Sequence, residues 1–110
     1  GLHMLMKKSG NIVNICSIMG SGANEMNIIA YTAAKGALRN ITQQLGCEWA
    51  DRGVRVNAVA PTYIATPLNA FADKTAPMYR RWIDSTPQGR LGEPEEVASV
   101  IAFLSNPAAS

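Results

Sequence analysis

Two short runs rich in β-branched residues, 11–16 (Asn-Ile-Val-Asn-Ile-Cys) and 54–60 (Val-Arg-Val-Asn-Ala-Val-Ala), bracket a stretch from about 29 to 51 that no proline interrupts. Within that stretch Ala34, Ala37, Leu38, Ile41, Leu45 and Trp49 recur every three to four residues, the spacing of one buried stripe on an α-helix. The first run gives way to the small-residue loop Ser17-Ile18-Met19-Gly20-Ser21-Gly22-Ala23-Asn24, and the second stops at Pro61. A strand, a helix-length connection and a second strand fit one arrangement, a right-handed βαβ crossover between neighbours in a parallel sheet. The fold class expected is therefore α/β.

The flanking segments extend that pattern. Leu2, Leu5 and Met6 share one helical face, and Lys7, Lys8, Ser9 and Gly10 supply the cations and glycine that suit a helix C-terminus. Pro94 suits a first helical position and Glu95 and Glu96 its positive end, while Val97, Val100, Ile101 and Leu104 make an apolar face that Asn106-Pro107 terminates. Between the second strand and this helix, residues 62–92 contain Pro67, Pro77 and Pro87 and a weak helical pattern around Met78, Trp82 and Ile83. Open α/β sheets carry ligand-binding loops in such excursions beyond the C-terminal ends of strands.

Composition narrows the function classes. Ten Lys and Arg against eight Asp and Glu give a net charge of +2, with Lys7-Lys8 and Arg80-Arg81 the only adjacent basic pairs, so no nucleic-acid footprint is expected. No run of apolar residues is long enough for a membrane span and the N-terminus has no secretory pattern, which points to the cytoplasm. Cys16 and Cys47 belong to no C-x-x-C pair and lie in apolar surroundings, as two reduced, buried thiols would. His3 has no ligand partner at metal-binding spacing, so no metal site is expected.

Tyr31 and Lys35 stand four positions apart near the start of the long helix, one turn apart on one face. A tyrosine hydroxyl ordinarily yields its proton only near pH ~10, and an ammonium one turn away favours the phenolate, so the spacing marks a candidate proton-transfer pair. A reacting oxygen also needs a second hydrogen-bond donor, and Ser17, at the end of the first strand, faces the same crevice as the start of the next helix. Taken singly, Tyr31 and Lys35 read as a surface pair and Ser17 as a loop-capping hydroxyl.

Tyr31-Thr32-Ala33-Ala34-Lys35 matches the Y-x-x-x-K motif of the short-chain dehydrogenase/reductase family, and Asn14-Ile15-Cys16-Ser17 resembles that family's strand ending in the active-site serine. The run 55–61, Ile64-Ala65-Thr66, and Gly89-Arg90-Leu91-Gly92-Glu93-Pro94-Glu95-Glu96-Val97 are similar to later segments of the same family, in the same order. The look is nearest to its gluconate 5-dehydrogenase and oxoacyl-carrier-protein reductase branches. The resemblance implies residues 1–110 as the C-terminal part of one doubly wound, Rossmann-like domain, with 62–92 as the substrate-loop region. It implies an NAD- or NADP-dependent enzyme interconverting a secondary alcohol and a ketone. In it Tyr31 would exchange the proton, Ser17 would bond the substrate oxygen, and Lys35 would also hold the nicotinamide ribose. Tyr31, Lys35, Pro61, Ile64 and Thr66 would contact cofactor; Ser17, Met19, Tyr31, Tyr63 and the segment 79–82 would shape the pocket for a small carbonyl or alcohol. The family commonly forms dimers and tetramers, so a homo-oligomer is implied as well.

Two departures accompany this resemblance. Thr62 stands where the family usually has glycine after the proline, which is expected to reshape the turn because threonine takes positive φ only at a cost. The family's glycine-rich cofactor turn, its NAD/NADP selector and its active-site asparagine are expected upstream of Gly1, and the last strand beyond Ser110. The rival reading is a non-catalytic fragment or interaction module, in which the small-residue face Ala30, Ala33, Ala34 and Ala37 packs against another helix.

Overall fold

Parallel pairing of the two β-branched runs organises the molecule. In the computed structural model, which describes residues 1–24, 26–67, 69 and 74–110, β1 (Gly10–Ile15) and β2 (Val54–Val59) form a two-stranded parallel sheet in the register Gly10↔Val54 to Ile15↔Val59. α1 (Leu2–Lys7) precedes β1, and α2 (Ile29–Trp49) makes the crossover to β2. α3 (Pro77–Asp84) and α4 (Pro94–Ser105) follow. The order agrees with the periodicities, and the element ends agree to within a residue or two. The Cys16 N–H to Val59 O bond at 2.8 Å and the Ile18 N–H to Pro61 O bond at 3.3 Å carry the pairing past both strand ends.

Strand alternation puts successive side chains on opposite faces. Asn11 and its register partner Arg55 face α4: Asn11 Nδ2 donates to Leu104 O, and the Arg55 guanidinium donates to Leu104 O, Asn106 O and Ala109 O. These donors satisfy carbonyls that a helix C-terminus leaves unpaired. On the other face, Asn14 Nδ2 donates to Thr42 Oγ1 of α2 at 2.8 Å, and Thr42 Oγ1 donates to Leu38 O at 2.8 Å. One helix thus covers each face.

The Asn14–Thr42 tie explains where the sequence reading of α2 failed. The expected buried stripe included Ala34, Ala37 and Ile41, yet all three are exposed, Ile41 by 50%. Thr42 is buried instead, beside half-buried Leu38, Leu45 and Trp49. A threonine whose hydroxyl bonds both its own helix and a strand side chain can be buried with that hydroxyl satisfied, so hydropathy alone misplaces the face. Thr42→Val, which keeps the shape and removes the hydroxyl, is expected to destabilise the fold by about 1–3 kcal/mol because it strands the Asn14 amide; urea unfolding measures it.

Two further expectations need correction. Cys16 is buried but Cys47 is exposed, because it lies on the outward side of α2. Gly10 does not end α1; Lys8 does, in the left-handed conformation at φ 50°, with its N–H on Leu5 O, while Gly10 opens β1. Among the described residues Lys8 is the only non-glycine at positive φ, so the turn at Thr62 demands no glycine.

Among the described residues the buried apolar side chains are Cys16, Val54, Val56, Val59 and Trp82. Large side chains remain open on several faces, among them Ile29, Phe103 and Ile15 at the sheet. The radius of gyration is 16.4 Å, against roughly 13 Å for a compact domain of similar length.

Candidate active site

The C-terminal ends of both strands and the start of α2 converge on one edge of the sheet. Ser17, directly after β1, is buried and caps the short turn Ile18–Gly20: its Oγ accepts from Met19 N–H at 3.2 Å, and Gly20 N–H donates to Ser17 O. The capping role read from Ser17 in isolation is therefore real. It uses an acceptor lone pair only, and the hydroxyl proton has no protein partner among the described residues.

Lys35 reaches across the crevice to the strand. Its Nζ donates to Ile15 O at 2.7 Å and lies 5.6 Å from the centroid of the Tyr31 ring, inside cation–π range. An ammonium has three donors, so two remain. Tyr31 is 44% exposed, with no hydrogen-bond partner for its hydroxyl among the described residues. The loop that carries Ser17 is pressed onto the helix here: a Cβ on Gly20 would stand 2.8 Å from Lys35 O. Ser17, Tyr31 and Lys35 are therefore carried by segments in direct contact.

Beyond β2, Thr66 N–H and Asn69 Nδ2 both donate to Ile64 O at 2.8 Å, tying Thr66 and Asn69 back onto Ile64. Ile64 pairs in a single parallel bridge with Gly92, leaving the Ile64 N–H and the Thr66 hydroxyl without protein partners among the described residues. Pro61 lies next to the Ser17 loop through its carbonyl.

The expected substrate-side residues fall in two places. Met19 sits on the Ser17 loop, where its Sδ accepts from Asn24 Nδ2 at 3.0 Å. Tyr63 stacks on Trp82 at 4.8 Å between centroids, and Tyr79 packs on Trp82 at 6.2 Å, so the segment 79–82 is anchored by aromatic contacts. A cleft of about 720 Å³ opens between them, lined by Asn24, Met26, Tyr63, Met78, Arg81 and Trp82 among others, but not by Ser17 or Tyr31. Residues 25, 68 and 70–73 lie outside the described residues, so the 62–92 segment is described only in part.

One charged cluster was not anticipated from the sequence. The Glu96 carboxylate accepts from both Arg90 guanidinium nitrogens, at 2.7 and 2.8 Å, and from Glu93 N–H at 2.7 Å. The Arg90 bonds first, and the backbone bond second, hold Glu96 down to about 2, and Arg90 is pushed up in return by the same contact. A carboxyl lowered on folding contributes stability above its unfolded range near 4.3 and loses it as pH falls through about 2. The cluster is thus intact at any working pH. The capping half of it was signalled by Glu93-Pro94-Glu95-Glu96, an acidic residue placed three after the N-cap.

Among the described residues no helix is long and apolar enough to cross a membrane, and no cluster of His, Cys, Asp or Glu is arranged to hold a metal ion.

A parallel α/β crossover that brings a buried serine and a Tyr-x-x-x-Lys pair to one sheet edge defines a class already suggested by the motifs. Residues 2–110 match the family model described as Enoyl-(Acyl carrier protein) reductase. The chain is 43% identical over 111 residues to galactitol 2-dehydrogenase (L-tagatose-forming) of Cereibacter sphaeroides, with all of this chain and 44% of that protein covered. It is 49% identical over 110 residues to a tropinone reductase homolog of Arabidopsis thaliana, covering 98% of this chain and 41% of the relative. A gluconate 5-dehydrogenase from Burkholderia cenocepacia, solved with NADP and tartrate, superposes with a TM-score of 0.87 at 35% identity, over 98% of this chain and 42% of that one. The chain belongs to the short-chain dehydrogenase/reductase family, with its α/β, Rossmann-type fold. It spans less than half the length of these relatives.

Proposed function

We propose that the protein carrying this chain is an NAD(P)-dependent oxidoreductase that interconverts a secondary alcohol and a ketone, with Tyr31 as the proton-exchanging group. The observation that carries this reading is the state of the three polar side chains at the sheet edge. Lys35 is pinned on Ile15 O beside the Tyr31 ring, and buried Ser17 has its acceptor side committed to Met19 N–H and its proton free. In the oxidative direction Tyr31 takes the proton of the alcohol oxygen while Ser17 donates to that oxygen and holds it. In the reductive direction Tyr31 returns the proton to the forming alkoxide.

A nicotinamide nucleotide would supply the hydride chemistry when bound. The residues here fit such a group: Lys35 has two donors left for ribose hydroxyls, and the unpaired Ile64 N–H and Thr66 hydroxyl suit a carboxamide, with Pro61 lining the approach. Tyr31 contributes to the same wall. Tyr63 and the Trp82-anchored segment bound the substrate side, Met19 joins them through its bond from the cleft residue Asn24, and the described residues of 62–92 serve as the substrate-loop region. The substrate class is a small alcohol or carbonyl compound, in keeping with relatives named for galactitol, tropinone and gluconate. We place the enzyme in the cytoplasm as a homo-oligomer, dimer or tetramer.

The rival reading, a non-catalytic fragment or interaction module, has one observation in its favour: Ala30, Ala33, Ala34 and Ala37 are exposed on α2 between Ile29, 86% exposed, and Ile41. That face suits oligomerisation of an enzyme equally well. Titration of the full-length protein with NADH and NADPH, followed by nucleotide fluorescence, separates the two. Saturable binding that Lys35→Ala weakens about 10-fold or more, by loss of charge-assisted bonds, is expected. A folded protein that binds neither nucleotide favours the module.

A further inference from the structure

The turn that carries Ile64 and Thr66 is clipped to a distant part of the chain. Gly92 N–H donates to Tyr63 O at 2.9 Å, and Ala65 N–H donates to Gly92 O at 2.8 Å. This bridge is one residue long, and so short a pairing holds little by itself. A Cβ on Gly92 would stand 2.7 Å from Ile64 Cδ1, so the two segments also pack closely.

Gly92 is fixed by the residues around it. Arg90 forks onto both oxygens of Glu96, and Arg90 Nη1 also donates to Leu91 O at 2.9 Å. The same carboxylate takes Glu93 N–H. Glu96 therefore ties down the chain on both sides of Gly92. Glu96 belongs to the first turn of α4, whose other end is held on the sheet by Asn11 and Arg55. A continuous set of bonds runs from the sheet through α4 to Gly92 and on to Ile64. An exposed ion pair contributes little to global stability, so the geometry of the fork and not its energy is its useful property.

We propose that the Arg90–Glu96 fork is a positioning element for the cofactor: by holding Gly92 against Ile64 it presents the Ile64 N–H and the Thr66 hydroxyl to the carboxamide of a nicotinamide nucleotide. This rests on the cofactor reading above. Arg90 and Glu96 touch neither cofactor nor substrate in this scheme; they act through the backbone of 63–66. Groups that recognise a ligand must be held to within about 0.5 Å, and a fork whose carboxylate stays charged down to strongly acidic pH does so at any working pH.

The test uses the full-length protein as wild type, Arg90→Gln and Arg90→Lys. Hydrogen exchange of the 63–66 segment is followed without nucleotide, and NADH and NADPH affinities by nucleotide fluorescence. Arg90→Gln is expected to speed exchange at Ala65 and to weaken nucleotide binding by about 5- to 10-fold, the scale of a small misplacement. Its melting temperature should move by less than about 2 °C, as befits a surface pair. The KM for cofactor should rise while the KM for the carbonyl compound at saturating cofactor holds. Arg90→Lys, with a point charge and no fork, should recover part of the affinity. A merely structural role would instead lower the melting temperature and raise both KM values. Wild type that binds nucleotide with Arg90→Gln its equal overturns this inference alone, as does faster exchange with unchanged affinity. Wild type that binds neither nucleotide overturns the cofactor reading and this inference with it.

Discussion

Turnover by Tyr31→Phe is expected to fall about 10²- to 10⁴-fold, the range that a positioned general acid/base contributes, while nucleotide binding persists. The substitution isolates the hydroxyl. Phenylalanine keeps the ring that the Lys35 ammonium faces at 5.6 Å, and the ammonium keeps its bond to Ile15 O, so the electrostatic setting survives. Only the atom proposed to exchange the proton is removed. Single-turnover oxidation of reduced nucleotide in the presence of a turned-over ketone measures the effect. A Phe variant within a few-fold of wild type, against the ~10²-fold minimum expected for loss of a general acid, would remove Tyr31 from the chemistry and return it to the surface-pair reading.

Gly20→Ala is the second large effect. A Cβ at Gly20 would meet Lys35 O at 2.8 Å, Lys35 C at 2.9 Å and Gly36 N at 3.3 Å, all of them backbone atoms of α2 that cannot rotate away. The loop or the helix has to move, and both carry proposed site residues: Ser17 lies on the loop and Lys35 on the helix. Overpacking of this kind costs about 1–3 kcal/mol, and a displacement approaching an ångström at the reacting groups costs about 10² in turnover. Gly22→Ala is the matched control. Its nearest neighbour would be Ile18 O at 3.5 Å, an ordinary contact, so stability and turnover should both stay near wild type. Thermal melts and steady-state rates on the two alanine variants decide the matter. Equal behaviour of the two would mean that the close approach at Gly20 does not set the Ser17–Lys35 geometry.

What was legible in the sequence were features with a strong local cause. β1, α2 and β2 stood out because β-branched runs and a proline-free helical stretch were bounded by Ser17, Gly53 and Pro61. Tyr31 and Lys35 stood out because four-residue spacing on a helix dictates proximity, whatever the rest of the fold does. The inward face of α2 was misjudged because it depends on a polar pair, Asn14 with Thr42, brought together only by the crossover. Apolar neighbours such as Leu45 suggest a buried Cys47, yet burial on a helix depends on which side faces the sheet, and Cys47 is exposed. The Arg90–Glu96 fork spans a turn and joins residues six apart, a spacing with no periodic signature, and the clip between Ile64 and Gly92 joins segments of unrelated local pattern. Contacts that tertiary structure creates leave little trace in local sequence.

A sheet edge that manages a proton for nicotinamide-dependent carbonyl chemistry must couple nucleotide oxidation to reduction of a ketone. The most direct test of that coupling is absorbance at the reduced-nicotinamide band, with the full-length protein, NADPH or NADH, and a panel containing L-tagatose, tropinone and a 3-oxoacyl thioester. Consumption of reduced nucleotide in step with loss of at least one ketone is the predicted result. A folded protein that binds nucleotide yet leaves every ketone, and the corresponding alcohols with oxidised nucleotide, unchanged would contradict it.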